Sequence, residues 1–195
     1  MKEDKPQPIP LAFQPVTDSN WSDLENLFGR RGACGGCWCM YWRLHHARFE
    51  NQKGEKNRRA MKRLISSGTV PGILAYHKKK PVGWCSVGPR PDFVRLEKSR
   101  IFRPVDDQPV WCITCIFVAR EYRKSGVSRR LIEAAVKYAA RQKAGIVEGY
   151  PFEPKTGRQP DPFVWTGLAS SYFEAGFKEV ARRSPTRPIV RFTIK

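Results

Sequence analysis

The fold of this chain is decided by residues 118–131, VAREYRKSGVSRRL. An apolar run over residues 110–118, the strongest strand signal in the sequence, ends at this point. A short basic loop containing Gly126 follows, and an amphipathic helix pattern begins at once at Val127. Backbone amides at a helix N-terminus attract anions, and a glycine lets the backbone approach a phosphate closely. The stretch therefore predicts either a site for a phosphate-bearing ligand or an ordinary strand-to-helix turn with surface cations.

Signals on either side of this stretch predict the remaining strands and helices. Upstream lie predicted strands at 11–17, 72–76 and 81–87, a helix from Trp21 that stops at Gly29, and a helix at 56–67. Residues 88–109 contain four prolines and are expected to form a long irregular excursion. Downstream lie a predicted helix at 127–144, a strand at 146–150, a helix capped by Asp161 with Pro162 at its first position and ending at Gly176, and strands at 177–182 and 188–194.

Charge and apolar patterning restrict the class of protein. The chain has 36 Lys and Arg against 18 Asp and Glu, and its net charge of +18 predicts an anionic partner such as a nucleotide, nucleic acid or acidic lipid. A membrane span needs about 20 apolar residues, and neither such a run nor a secretory h-region is visible. We therefore expect a cytoplasmic protein with a flexible lead at residues 1–10 and a single domain at 11–195.

Two motifs resemble a known family. Arg123-x-x-Gly126-x-Ser128, which follows an apolar strand and opens a helix, resembles the acyl-CoA-binding motif of the GNAT superfamily of N-acetyltransferases. The family has Gly or Ala where this chain has Ser128, and many members have another Gly in place of Lys124. A second landmark, Tyr172 followed by Gly176 and a phenylalanine, is similar to the family's Tyr-x-x-x-Gly-Phe. The resemblance covers residues 70–183 well and 11–69 loosely, and it implies a mixed, mostly antiparallel, twisted sheet flanked by helices.

The resemblance implies transfer of an acetyl group directly from acetyl-CoA to an acceptor, most often an amine. The expected partner is a small-molecule or peptide amine, with no membrane, and the protein is expected to be a monomer or homodimer. The pantetheine arm is expected to pair with the long strand, and a main-chain N–H of that strand to polarise the thioester oxygen. The cofactor-binding residues it implies are Ile116, Phe117, Val118, Arg123, Lys124, Ser125, Gly126, Val127, Ser128 and Arg129.

The resemblance also implies a proton donor and a proton acceptor. Tyr172 stands where many members carry the general acid that protonates the CoA thiolate, although core packing with a backbone-bonded hydroxyl is the alternative. Many members carry a base on the long strand, but this strand has no carboxylate. Glu148 on the next strand is the candidate base, with Asp106 and Asp107 as alternatives, and each of these carboxylates also suits an ion pair with one of the many cations.

Residues 34–42, CGGCWCMYW, form the least ordinary stretch of the sequence. Three cysteines, Cys34, Cys37 and Cys39, together with His45 or His46, have the close spacing of one half of a zinc site. Structural zinc sites usually have a second ligand pair, and none is evident here. We therefore predict no bound metal and expect packing or pocket lining. The resemblance places this region beside the acceptor, so that Trp38, Tyr41 and Trp42 are expected to line the acceptor pocket.

A competing function comes from the basic helix predicted at 56–67. Its cations could contact nucleic-acid phosphates, and the alternative reading of the chain is a basic nucleic-acid-binding module on the same scaffold without transfer activity. No RNA- or DNA-binding motif accompanies the helix, which favours a solvated face. The identity of the acceptor and the preferred acyl chain have no readable signal in the sequence.

Overall fold

Seven strands form one mixed sheet at the centre of the protein. The computed structural model describes residues 9–154 and 164–194. The strands are β1 (Ala12–Pro15), β2 (Gly72–His77), β3 (Lys80–Pro89), β4 (Trp111–Val118), β5 (Ile146–Gly149), β6 (Lys178–Arg182) and β7 (Pro188–Thr193). Their order is β1-β2-β3-β4-β5-β7-β6, and every neighbouring pair is antiparallel except β4 and β5, which are parallel. The predicted mixed, mostly antiparallel sheet is confirmed.

Helices pack on both faces of this sheet. They are α1 (Trp21–Phe28), α2 (His46–Asn51), α3 (Glu55–Ser66), α4 (Val94–Glu97), α5 (Val127–Arg141) and α6 (Ala169–Glu174). The crossover helix α5 joins the two parallel strands and buries Leu131, Ile132 and Ala135 against one face. On the other face, α1, α3 and the Cys- and Trp-rich stretch enclose a second apolar cluster around Trp84. Within the described residues, no helix is long and apolar enough to cross a membrane.

Several elements differ from the sequence-based expectation in their limits. The helix expected to reach residue 144 ends at Arg141, and Lys143 takes a positive φ of 62°. The short helices α2 and α4 were not predicted, because each is too short to show a full amphipathic period. The proposed helix start at Asp161 and Pro162 lies outside the described residues, as do residues 1–8 of the lead. The described helix of that region is α6.

The parallel strands β4 and β5 separate after a short paired segment. They pair only from Trp111 to Ile113 of β4, opposite residues 147–149 of β5. Beyond this point the backbone of residues 165–168 lies between them. The Ile116 N–H donates to the carbonyl of Trp165 at 2.7 Å, and the Phe152 N–H donates to the carbonyl of Gly167 at 2.8 Å. The divergence opens a gap between the two strands towards the end of β4, and residues 165–168 fill it.

Candidate active site

The basic loop between β4 and α5 presents a row of unpaired backbone donors. Lys124 and Gly126 have φ of 64° and 76°, which turns the chain into the N-terminus of the 15-residue helix α5. In the described part of the chain, no acceptor meets the backbone N–H groups of residues 124–129. A Cβ at Gly126 would meet no atom within 4 Å, so the space beside the loop is open. Six amides and the positive end of a helix dipole suit a phosphate group.

The side chains of the loop mostly stabilise the loop itself. Arg123 folds back, and its Nε donates to the carbonyl of Val118 at 3.0 Å. The Ser125 hydroxyl donates to the carbonyl of Tyr122 at 2.6 Å. Arg129 is paired with Glu133 at 3.2 Å, Val127 is buried in the core, and Ser128 is half-buried at the first turn of α5. Lys124 is exposed. The loop therefore brings the predicted residues 123–129 together, with the main chain as the principal source of donors.

The end of β4 presents alternating faces to the two apolar clusters. Ile116 and Val118 are buried on the α5 side, whereas Phe117 packs against Phe28 of α1 at 5.8 Å between ring centroids. The Ile116 amide faces away from β3 and donates to the Trp165 carbonyl, so it is already satisfied by the chain's own backbone.

Tyr172 lies close to Gly149 and Gly167, beside the gap between β4 and β5, and is fully buried. Its hydroxyl donates to the carbonyl of Thr166 at 3.1 Å, and its ring packs edge-on against Phe177 and closely over Gly149. Burial raises the pKa of Tyr172 well above its ordinary value, and the nearby thiols contribute in the same direction. The phenol is therefore protonated at neutral pH. The backbone of residues 165–166 thus engages both the Ile116 amide and the Tyr172 hydroxyl.

Glu148 is fully buried in a network of hydrogen bonds at the middle of the sheet. One carboxylate oxygen accepts from the Tyr150 hydroxyl at 2.6 Å and from Arg90 Nη1 at 3.2 Å. The other oxygen accepts from Arg191 Nε at 2.8 Å. Tyr150 is also 3.1 Å from the Cys112 sulfur, and its pKa is raised because it is buried. Both carboxylate oxygens of Glu148 are therefore engaged by donors of the protein itself.

The two alternative carboxylates lie at the surface. Asp106 accepts two hydrogen bonds from Arg191, at 2.6 and 3.0 Å, and Asp107 is exposed. The hydrogen bonds from Arg191 lower the pKa of Asp106. Since Arg191 also contacts Glu148, the structure joins two of the three candidate carboxylates through one guanidinium. Asp106 acts there as an ion-pair partner.

A cavity of about 560 Å³ lies beside residues 165–166, which form part of its wall. Aromatic rings form much of its wall: Tyr41, Trp42, Phe102 and Trp165. Trp42 stacks on Trp165 with ring centroids 5.7 Å apart, and Tyr41 meets Trp165 edge-on at 5.1 Å. The Thr166 carbonyl that accepts from Tyr172 belongs to a residue of this wall. Residues 165–166 therefore contact the cavity as well as Ile116 and Tyr172.

Trp38, the third aromatic residue predicted for this pocket, lies elsewhere. It packs in the second apolar cluster, 6.0 Å from Trp21 and 5.7 Å from Phe28 between ring centroids. Trp38 and Cys39 both have positive φ values, 45° and 55°, which non-glycine residues adopt only when their surroundings hold them. This reversal of the chain directs Trp38 into the core, while Tyr41 and Trp42 reach the cavity.

The three cysteines of this stretch occupy three different environments. Cys34 is exposed, Cys37 is half-buried, and the buried Cys39 accepts a hydrogen bond from Trp84 Nε1 at 3.0 Å. Burial raises the pKa of Cys37 to about 12. Over residues 9–154 and 164–194, no group of three or more His, Cys, Asp or Glu side chains is arranged to hold a metal ion. The contacts of Cys39 are those of a packing residue.

The cations of α3 are engaged in ion pairs across the protein surface. Arg58 pairs with Glu25 of α1 and with Glu55, and Lys62 Nζ lies 2.5 Å from a carboxylate oxygen of Asp18. Arg59 pairs with Glu55 at 3.0 Å. These contacts describe a solvated helix face whose cations pair with Asp18, Glu25 and Glu55, and they leave fewer free cations for phosphate contacts than the sequence suggests.

Sequence reasoning missed the residues that surround the predicted ones. Arg90 and Arg191 hold Glu148, and Trp165, Thr166 and Arg95 line the cavity. The two arginines and Arg95 carry no local signal, since the chain contains 36 cations. Residues 165–167 lie just before α6, which carries Tyr172, and this closeness in sequence is the signal that could have pointed to them.

The sequence comparison establishes the family. Residues 38–150 match the acetyltransferase (GNAT) family, and this match covers more than half of the chain. The chain therefore belongs to the acetyltransferase (GNAT) family. No curated protein sequence matches this chain.

Solved structures with the same fold include other members of this family. A PaiA N-acetyltransferase from Thermoplasma acidophilum in complex with coenzyme A is similar with a TM-score of 0.53 at 12% identity, covering 95% of this chain and 100% of that one. A GNAT-family acetyltransferase from Listeria monocytogenes has a TM-score of 0.57 at 10% identity, covering 95% and 96%. The NatC complex bound to a Gag peptide and CoA has a TM-score of 0.53 at 10% identity, covering 96% and 100%. At these identities the similarity shows the fold.

Proposed function

We propose that this protein transfers the acetyl group of acetyl-CoA to an amine. The observation that carries the proposal is the row of six backbone amides at residues 124–129, between the end of β4 and the first turn of α5, to which no described residue offers an acceptor. Acetyl-CoA supplies a phosphorylated handle and an acetyl thioester. The acceptor nitrogen forms the new C–N bond while the C–S bond breaks. The sulfur gains one proton and the nitrogen loses one, so that an amine and a thioester become an amide and a thiol.

In this proposal, each part of acetyl-CoA has its own protein partners. The amides of residues 124–129, with the exposed Lys124, hold the pyrophosphate. The edge formed by Ile116, Phe117 and Val118 pairs with the pantetheine arm. The Ile116 N–H polarises the thioester oxygen in the manner of an oxyanion hole. Because this N–H donates to the Trp165 carbonyl, cofactor binding requires the backbone around Trp165 to move away from β4.

Tyr172 is the proposed general acid. Its raised pKa keeps the phenol protonated, so that it has a proton to give when negative charge develops on sulfur. Its present acceptor is the Thr166 carbonyl, in the same segment that holds the Ile116 amide. Movement of residues 165–166 would release both donors in one step. Core packing with a backbone-bonded hydroxyl is the alternative that kinetics must exclude.

Glu148 is the proposed base, acting through its hydrogen-bonded network. Arg90 donates to one carboxylate oxygen of Glu148 and Arg191 donates to the other. The Tyr150 hydroxyl, which also donates to Glu148, is therefore the group through which a proton would reach the carboxylate. Phe102 lines the cavity and packs on Tyr150 with ring centroids 5.0 Å apart. This contact places the hydrogen bonds of Glu148 and Tyr150 directly behind the wall of the 560 Å³ cavity, which is the proposed acceptor site.

Calorimetry with acetyl-CoA tests the proposal on a Gly126→Glu variant. The new side chain adds bulk and negative charge where the amides are open, so acetyl-CoA binding should be abolished. Gly68→Glu is the matched control, because Gly68 has φ of 86°, open space around its Cβ position and an exposed site after α3. If Gly68→Glu binds acetyl-CoA normally, the loss of binding in Gly126→Glu comes from the phosphate site and is not a general result of placing Glu at a position with positive φ. Unchanged affinity in Gly126→Glu, measured on folded protein, would refute the proposal.

A further inference from the structure

The cavity beside Trp165 has a strongly positive lining. Arg95, Lys98 and Arg187 contribute three cationic side chains, and His45 and His46 stand at its exposed rim. None of the described residues that line the cavity is an aspartate or a glutamate. A concave site lined by one sign of charge concentrates ligands of the opposite sign. The lining therefore selects against cationic molecules and in favour of anionic ones.

Two buried hydrogen-bond donors of the lining have no partner. Trp42 Nε1 and Arg95 Nη1 meet no acceptor in the described part of the chain, although Trp42 is only 8% exposed. The Arg95 guanidinium is held in position over the Tyr41 ring, with Cζ 3.7 Å from the ring centroid. Buried donors are almost always paired in folded proteins, so unpaired ones call for an acceptor from outside the chain. A carboxylate has two oxygens that accept several hydrogen bonds.

The acidic residue whose charge reaches this lining is engaged elsewhere. Glu50 of α2 interacts electrostatically with His46 and Arg95, but its carboxylate accepts a hydrogen bond from Lys53 Nζ at 2.6 Å and it is exposed. On the opposite side, Arg187 donates to the Thr166 hydroxyl at 3.0 Å. Burial lowers the pKa of Arg187. Among the described residues, the lining contains cations and no carboxylate.

Aromatic rings define the remaining shape of the cavity. The stacked pair of Trp42 and Trp165, with Tyr41 and Phe102 beside it, offers flat apolar surface next to the cations. Such rings favour an aromatic or other flat apolar group. An acceptor that satisfies both features carries an anionic group on one side and an apolar body on the other. Its amine then lies near Thr166, the residue whose carbonyl meets Tyr172.

We propose that the acceptor is a small amine that also carries a carboxylate and an aromatic or apolar side chain, as an aromatic amino acid does. This proposal rests on the acetyltransferase function proposed above and names its substrate class. Arg95 and Trp42 Nε1 bind the carboxylate, and the rings of Trp42 and Trp165 contact the apolar group. Polyamines and aminoglycosides, which are polycationic, are rejected by the same lining.

Acetylation of matched acceptors tests the substrate class. Thiol release from acetyl-CoA is measured with phenylalanine, with phenylalaninamide, which lacks the carboxylate, and with spermidine. If the site does not distinguish the charge of the acceptor, phenylalaninamide is the better substrate, because its amino group is less basic and a larger fraction of it is unprotonated. We expect the opposite order, with kcat/KM for phenylalanine about 10- to 100-fold above that of the amide, the range for a hydrogen bond to a charged group.

Substitutions in the cavity lining test whether the preference for phenylalanine arises from the residues of that lining. Arg95→Gln should lower kcat/KM for phenylalanine by about tenfold or more and leave the value for phenylalaninamide nearly unchanged. Arg100→Gln removes one exposed cation of the same excursion outside the lining and is the matched control. Because Arg95 packs on Tyr41, Lys98→Gln at the exposed rim provides a second variant that does not disturb this contact. It should change selectivity in the same direction by a smaller factor.

The outcomes separate this proposal from the proposed function. Calorimetry that detects no acetyl-CoA binding refutes the acetyltransferase proposal. A protein that binds acetyl-CoA but acetylates spermidine or phenylalaninamide faster than phenylalanine overturns only the substrate class. Binding of the products N-acetylphenylalanine and N-acetylphenylalaninamide in the presence of CoA is measured in parallel. If the acid is not bound more tightly than the amide, or if neither is bound or formed, the inference is overturned.

Discussion

Replacing Tyr172 by phenylalanine distinguishes the proposed acid from a packing residue. The substitution keeps the ring contacts with Gly149 and Phe177 and removes one hydrogen bond, which the hydroxyl donates to the Thr166 carbonyl at 3.1 Å. Thr166 is buried, so its carbonyl is left without this donor. An unsatisfied buried polar group costs about 1–3 kcal/mol. For a chain of this length, the melting temperature should fall by about 2–4 °C per kcal/mol.

The kinetic effect should be much larger than the effect on stability. A positioned general acid contributes about 10²- to 10⁴-fold, and kcat of Tyr172→Phe should fall within that range. The KM for acetyl-CoA should change little, since the hydroxyl acts mainly when charge develops on sulfur. If Tyr172 serves only in packing, the variant loses stability and keeps its kcat.

Steady-state thiol release and a thermal melt are the two assays. Tyr138→Phe is the matched control, because Tyr138 is a partly buried tyrosine of α5 with no hydrogen bond from its hydroxyl to the described residues. This control should keep wild-type kcat and stability. A folded Tyr172→Phe protein with wild-type kcat would refute the acid role, and another donor or water would then have to protonate the thiolate.

Two further predictions concern the carboxylates that Arg191 joins. Glu148→Gln leaves Arg90 and Arg191 without a buried counter-charge, so the variant should lose about 3–5 kcal/mol of unfolding free energy in a denaturant titration. Wild-type kcat in the folded fraction would contradict its role as base. For Asp106, hydrogen bonds from Arg191 lower the pKa below 3.8, so its stabilising contribution is present above that pH and is lost as pH falls through the lowered pKa. Asp106→Asn should therefore melt below wild type at pH 7, and the gap should narrow as pH falls below 3.8; a gap that does not change with pH would exclude this linkage.

The sequence by itself determined the elements whose cause is local. Residues 118–131 read as strand, glycine-containing loop and helix because periodicity, glycine and helix start signals all act over a few neighbouring residues. The amides of residues 127–129 lack a partner within α5 for the same reason, since the first amides of a helix have no acceptor within it. The family motif was readable for the same reason, and the structure shows the predicted fold.

Only the tertiary structure decided the environment of each predicted residue. The Trp165 carbonyl reaches the Ile116 amide because β4 and β5 diverge after three paired positions, which depends on the order of strands across the whole sheet. Glu148 lies between Arg90 and Arg191 because strands distant in sequence become neighbours. Contacts between residues so far apart leave no periodic or local pattern for sequence analysis to detect.

The Cys- and Trp-rich stretch shows the same division within a few residues. Its composition identified an unusual segment, and the resemblance placed it beside the acceptor. Positive φ at Trp38 and Cys39 sends Trp38 into the core, whereas Tyr41 and Trp42 line the cavity. Non-glycine residues hold such φ values only where surrounding packing compensates their strain, and that packing comes from α1 and the sheet. Which of three neighbouring aromatic residues reaches the cavity is therefore decided by the assembled fold.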